Sequence, residues 1–249
     1  EAAGKVIGDP NYRLVASPEE VCTEVLPGNS EEGIFEVCYD DSRGEYKDFG
    51  SYIGGTVEKW PVLKGTTPAS RRKFFIRNET VERLYTPEDL RLQAYFADFF
   101  RMKEEPVSVT QGAASVRRWR EVEYYSGGIY DGTPRTLLAN DILIRLPDIL
   151  LLRAEMKAAT GDREGAVADL DVVRRRAGVA GYSEAEGDLR RAIQLERDRE
   201  LLFQTGVRYF DYMRNHTYNL LKGGFRDLTE TDVAAGALFL PVSLDAMNN

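Results

Sequence analysis

The chain has 249 residues, 43% of them hydrophobic and 30% charged, which suffices for a substantial buried core and excludes a small fold that depends on disulfide staples. Its 33 Lys and Arg against 41 Asp and Glu leave a formal net charge of −8, so the chain as a whole repels nucleic acid and anionic lipid. The single histidine, His216, excludes a histidine-rich metal centre, and no apolar run approaches the roughly 20 residues that a bilayer-spanning helix needs.

In chain order, Ala2, Ala3, Val6 and Ile7, followed by Asp9-Pro10-Asn11, read as the last turns of a helix whose beginning lies upstream. Cys22 and Cys38 are too far apart for a CxxC motif, and one bridge or two free thiols both remain open. Gly33-Ile34-Phe35-Glu36-Val37-Cys38-Tyr39 alternates in the manner of a short strand. Residues 42–67 and 105–136 carry Gly54-Gly55, Trp60-Pro61 and Gly127-Gly128 and read as long loops, a class that often serves function.

From about Thr136 the pattern becomes helical: Ile142, Leu146, Ile149, Leu150 and Met156 recur at three- and four-residue steps, and Ala166, Leu170, Val173 and Ala177 share one face. Between these stretches, Gly161 suits a left-handed helix end and Asp162 a cap for the next helix, which predicts an antiparallel helical hairpin of the kind that tetratricopeptide-like solenoids stack. Pro147 marks a first turn or a kink. A third helix is expected over about Asp188 to Gln204 and a fourth over Val207 to Arg214, with Gly206 as the break and Tyr209, Phe210 and Tyr212 in the core. His216 follows as a capping cation or surface residue, and Leu238 to Val242 reads as an extended segment. The fold class is therefore mainly α, with tetratricopeptide-like helical hairpins, long loops and a few short strands, in one domain whose residues 1–136 are loop-rich and whose residues 137–249 are helical.

Between Arg174 and Arg214 the chain holds nine arginines, seven acidic residues and no lysine. Guanidinium meets carboxylate through a planar fork and keeps its charge when buried, so this bias points to a geometric need. Glu196, Arg199 and Glu200 share a helix face, and Arg208, Asp211 and Arg214 are spaced three apart. Both sets can interlock with Arg174 or Arg176 as an ion-pair network that fastens helices. The competing reading makes Glu196 and Glu200 the paired carboxylates of a glycosidase.

Three runs, Asp141 to Glu155, Leu170 to Gly178 and Ile193 to Arg214, resemble the C-terminal signature of SusD/RagB-like outer-membrane nutrient-uptake lipoproteins. The Glu196-Arg-Asp-Arg199-Glu200-Leu and Arg208-Tyr-Phe-Asp211 pieces are its most specific parts. Asn29 to Val37 resembles the family's Glu-x-Ile-Phe-Glu segment, and Asp89-Leu90-Arg91 its Asp-x-Arg step. The chain departs from the pattern at Pro147, at Asp171 and at Pro241-Val242-Ser243. The resemblance implies the C-terminal portion of such a protein, without the N-terminal half and the lipid-anchor cysteine; Cys22 has no apolar segment before it and is not that anchor.

What the resemblance implies for function is a non-catalytic, cell-surface, lipid-anchored protein that captures an oligosaccharide or polysaccharide and delivers it to a SusC-like TonB-dependent outer-membrane transporter, with no cofactor and no nucleic acid. The alternative is a helical-repeat scaffold that binds a protein or peptide. A sugar site pairs an aromatic platform with hydrogen-bonding groups. Tyr46, Tyr52 and Trp60 in one loop, and Tyr124, Tyr125 and Tyr130 in the other, are the candidates, while Trp119 suits a packing role. Asp40 and Asp41 alone lack the oxygen ligands that calcium requires, so no metal is expected.

Overall fold

The structure is a computed structural model that describes residues 1–23, 30–38, 43, 76–96, 98–104, 112–114, 116, 141–204, 206–218 and 229–238. The chain divides into two compact units, Glu1–Thr205 and Gly206–Asn249.

In the first unit, α1 (Ala2–Ile7) and α2 (Pro18–Thr23) precede β1 (Gly33–Val37). Strand β2 (Ile76–Arg77) leads into α3 (Asn78–Leu84), α4 (Leu90–Tyr95) and α5 (Phe99–Lys103), and β3 (Ala113–Ala114) pairs antiparallel with β2. Strand β4 (Asp141–Arg145) then runs directly into α6 (Leu146–Thr160), followed by α7 (Arg163–Arg176), a 3-10 turn at Glu184–Glu186 and α8 (Leu189–Glu200).

The predicted hairpin is α6 and α7. Gly161 ends α6 at φ 90°, in the left-handed region, and the Asp162 carboxylate accepts the Gly165 amide at 3.0 Å. Across the hairpin, Arg153 on α6 grips Asp169 on α7 with two bonds of 2.7 Å each. Ala166, Leu170, Val173 and Ala177 are fully buried, as their shared face requires, whereas Met156 is 48% exposed and belongs to the outer side.

The helical stretch expected from Thr136 starts later, because Asp141–Arg145 is a strand. It pairs antiparallel with β1, Gly33 opposite Arg145 and Val37 opposite Asp141, through an irregular register near Phe35. The helix begins only at Leu146, and Pro147 sits in its first turn, where the missing amide costs nothing. The third helix stops at Glu200 rather than Gln204, and Phe203 in the turn that follows has φ 68°.

Two apolar clusters fill this unit. One joins Val81, Leu84, Tyr85, Tyr95, Phe96 and Phe99 of α3 to α5 with Leu202, and the other joins Leu150, Leu151, Ala154, Leu170, Val173 and Ile193 of α6 to α8. Helix α8 serves both, since Leu195 packs against the first cluster while Leu189, Ala192 and Ile193 belong to the second.

In the second unit, α9 (Val207–Arg214) starts after Gly206 at φ 72°, and α10 (Glu230–Ala234) is closed by a Thr229–Asp232 capping box. Tyr212 is buried and Tyr209 half-buried, its hydroxyl donating to the Leu238 carbonyl, but Phe210 is 62% exposed and is not a core residue. His216 is exposed at φ 53°, just past the helix. Residues 239–242 of the expected extended segment, and almost all of the two expected loops, lie outside the described residues.

Candidate functional site

The most concentrated chemistry among the described residues lies where α4, β4, α7 and α8 converge. Helix α8 turns Leu189, Ile193, Glu196 and Glu200 to one side, so two apolar contacts at its start give way to two carboxylates at its end. Into these carboxylates run Arg91 from α4, Arg145 from the end of β4, and Arg174 and Arg176 from the last turn of α7, where basic residues also suit the helix dipole.

Arg91 and Arg145 are fully buried. Arg91 forks onto Asp89 at 2.9 and 2.8 Å, and its remaining terminal nitrogen reaches Glu196 at 2.6 Å and Glu200 at 3.2 Å. The Asp-x-Arg spacing acquires a physical reason here: Asp89 caps α4 by accepting the Arg91 amide at 3.0 Å and simultaneously receives the same residue's guanidinium. Arg145 donates to Glu32 at 3.0 Å, to Glu200 at 2.5 Å, to the Glu200 carbonyl and to Gln204. Glu32 reaches Arg145 because the β1–β4 pairing continues one step past the strands, with the Leu146 amide donating to the Glu32 carbonyl at 2.8 Å.

Arg176 closes the ring by bridging Glu32 and Glu200. Arg174 contacts Glu196 at 3.3 Å and takes Glu186 in a bidentate pair at 2.8 and 2.9 Å. Arg199 reaches Glu196 at 3.4 Å and also donates to the Leu84 carbonyl. Both oxygens of Glu32, Asp89, Glu196 and Glu200 accept at least one hydrogen bond. Four buried carboxylates thus face the four buried guanidinium groups of Arg91, Arg145, Arg174 and Arg176, which is the charge balance that burial demands.

Burial alone pushes the Glu200 carboxyl up, but Arg176, Arg145 and Arg91 together outweigh it and hold the group down at about 2. The same pairing raises Arg91 and Arg145 above the ordinary arginine range against the opposing effect of burial, so both stay charged. Tyr85 lies within 5.9 Å of the Arg91 guanidinium, and its own ionisation is pushed well up, by burial first. Its hydroxyl donates to the Arg199 carbonyl at 2.8 Å, and the Tyr95 hydroxyl donates to the Glu200 carbonyl at 3.3 Å. A carboxyl held ionised at about 2 is unsuited to giving a proton to a leaving group near neutral pH, the task a glycosidase sets its acid.

Of the residues singled out in the sequence, Arg174, Arg176, Glu196, Arg199 and Glu200 meet in this cluster. Arg208 and Asp211 lie in the second unit, where Arg208 stands 5.5 Å from the Tyr212 ring and Asp211 holds Arg214 at 2.9 Å. Sequence reasoning assigned no role to Glu32, Asp89, Arg91 and Arg145, although each stands in a stretch quoted for the family resemblance. Tyr46, Tyr52, Trp60, Trp119, Tyr124, Tyr125 and Tyr130, together with Asp40 and Asp41, lie outside the described residues. Cys38 is a free, exposed thiol. Among the described residues there is no group of His, Cys, Asp and Glu arranged to hold a metal, and no helix long and apolar enough to cross a membrane.

The family model of the SusD family matches residues 55–238. The chain belongs to the SusD family. Solved structures share the fold of this SusD-family chain. A SusD homolog from Bacteroides thetaiotaomicron aligns with TM-score 0.75 and 21% identity over 99% of this chain and 50% of its own. Surface glycan-binding protein A from Bacteroides uniformis gives 0.62 and 22%, covering 96% and 48% respectively. Surface glycan-binding protein A from Bacteroides thetaiotaomicron in complex with laminarihexaose gives 0.60 and 19%, covering 96% and 57%. The chain spans about half the length of these proteins. No curated protein matches it.

Proposed function

We propose that this SusD-family chain belongs to a non-catalytic, glycan-binding surface protein that captures an oligosaccharide and delivers it to a SusC-like TonB-dependent transporter in the outer membrane, to which a lipid anchor of the full protein holds it. The observation that carries this reading is the family match over residues 55–238. A similar fold solved with laminarihexaose supports a saccharide as the cargo. The Arg–carboxylate cluster is read as a structural fastening. Its carboxylates are buried and fully engaged by arginines, which suits helix packing and not attack on a substrate. Tyr46, Tyr52, Trp60, Tyr124, Tyr125 and Tyr130 remain the proposed loop aromatics that stack on sugar rings.

Calorimetric titration with laminarihexaose and with other neutral hexasaccharides tests the capture step, with binding but no release of reducing sugar as the expected result. Affinity purification of the native protein from detergent-extracted membranes tests the delivery step. A stoichiometric β-barrel partner and a lipidated N-terminal cysteine are expected. Recovery of the protein without a barrel and without affinity for any sugar overturns the reading in favour of a peptide-binding helical scaffold.

A further inference from the structure

Away from the arginine cluster, residues of α4 and α5, with Phe96 and Asp98, line a cleft of about 350 Å³. Its floor is apolar, made of the buried rings of Phe96 and Phe99, and its rim carries Gln93, Asp98, Phe100 and Arg101. Asp98 adopts φ 43° and ψ 47°, a left-handed backbone that, glycine apart, aspartate and asparagine tolerate best. The Asp98 carboxylate takes both Arg101 contacts, at 3.0 and 3.3 Å, on the same oxygen, Oδ2. Among the described residues, Oδ1 of Asp98 and the Gln93 side-chain amide have no partner within the chain.

Phe100 stands at the edge of this cleft 52% exposed, and it is braced edge-to-face by Phe99 at 5.6 Å and 71°. A large apolar ring kept half in water by a rigid buried neighbour, beside uncommitted donors and acceptors, combines the two features that recognise a sugar: a surface for its C–H face and partners for its hydroxyls. The volume lies near the lower end of the roughly 300–1,000 Å³ of small-molecule sites, which suits one or two rings rather than a long chain. Among the described residues the rim sets one carboxylate, Asp98, against one guanidinium, Arg101, a balance that suits a neutral sugar.

We propose that the α4–α5 cleft is a binding subsite for a neutral pyranose of the captured oligosaccharide, with Phe100 as the stacking ring and Gln93 and Asp98 as the hydroxyl partners. This rests on the glycan-capture reading and adds a site distinct from the loop aromatics. The test titrates the unaltered chain, Phe100→Ala and Gln93→Ala with laminarihexaose, maltohexaose and mannohexaose. Phe210→Ala serves as the control for loss of an exposed phenylalanine elsewhere, and thermal melts confirm that each variant is folded.

Loss of the stacking ring is expected to weaken the best-binding probe about tenfold, the equivalent of one strong aromatic contact, with Gln93→Ala in the same direction and Phe210→Ala unchanged. Full affinity in both cleft variants overturns the subsite and leaves glycan capture standing. Absence of binding by the unaltered chain to every probe overturns the subsite, and together with recovery of the protein without a barrel it overturns glycan capture as well.

Discussion

At the scale of single residues, Glu200 is the point on which the buried cluster turns. It receives Arg91, Arg145 and Arg176, and no water-facing group is available to replace any of them, since Glu200 itself is fully buried. Replacing it with glutamine keeps the shape and removes the charge, leaving three guanidinium groups short of one partner. Glu200→Gln is therefore expected to lower stability by about 3–5 kcal/mol and Tm by roughly 10 °C, measured by denaturant and thermal unfolding. The same residue predicts an acid limit. Its folded value of about 2 lies below the ordinary glutamate value, so its stabilisation is complete above about pH 5 and drains away as pH falls toward 2. That contribution amounts to about 3 kcal/mol for the wild type. Unfolding titrations between pH 7 and pH 2 should show a steeper loss in wild type than in Glu200→Gln, and parallel curves would remove Glu200 from the account of acid stability.

At the scale of elements, the two positive-φ glycines at the ends of the hairpin helices make a controlled contrast. A Cβ at Gly161 would meet nothing within 4 Å, so Gly161→Ala is expected to cost only the backbone penalty of about 1 kcal/mol. At Gly178, φ 74°, a Cβ would lie 2.9 Å from Leu90 Cγ, and the neighbouring Ala177 carbonyl accepts the Leu90 amide at 3.0 Å. Gly178→Ala should cost more by denaturant unfolding, because the half-exposed Leu90 side chain must also give way. The Gly161-Asp162 turn was legible in the sequence because its chemistry is local, a left-handed glycine followed by a capping carboxylate. The strand Asp141–Arg145 was not: Ile142 and Leu146 are four apart, a spacing that reads as helical, and the feature that makes the segment extended is its pairing with Gly33–Val37, far upstream. The candidate cluster divides along the same line. Glu196, Arg199 and Glu200 declare a shared face by their spacing on one helix, whereas Glu32 and Arg145 come together only through a sheet that no local pattern announces. The Phe100 cleft was invisible for a related reason, since the left-handed residue beside it is Asp98 rather than a glycine.

For the molecule as a whole, the charged cluster sits on the helix that both apolar clusters share. Arg91 ties α4, a member of the first cluster, to α8, which packs against the second. Arg91→Met should therefore loosen the molecule unevenly, and hydrogen exchange should rise over residues 78–103 more than over the α6–α7 hairpin, which keeps its own Arg153–Asp169 clamp. Equal protection losses in both regions would show that the two clusters open as one unit. The bridge between Glu32 and Arg176 spans 144 positions of sequence. During synthesis at roughly 5–20 residues per second, Glu32 waits on the order of ten seconds for Arg145, 113 positions on, and then for Arg176. Until then its carboxylate has only the Val15 amide, at 3.1 Å, and β1 lacks its partner strand. The settling of β1 is thus timed by segments more than a hundred positions downstream: it must wait for its partner strand β4, and the ring around Glu32 closes only once Arg176 has been made, so nascent chains halted before Asp141 should leave Gly33–Val37 open to protease.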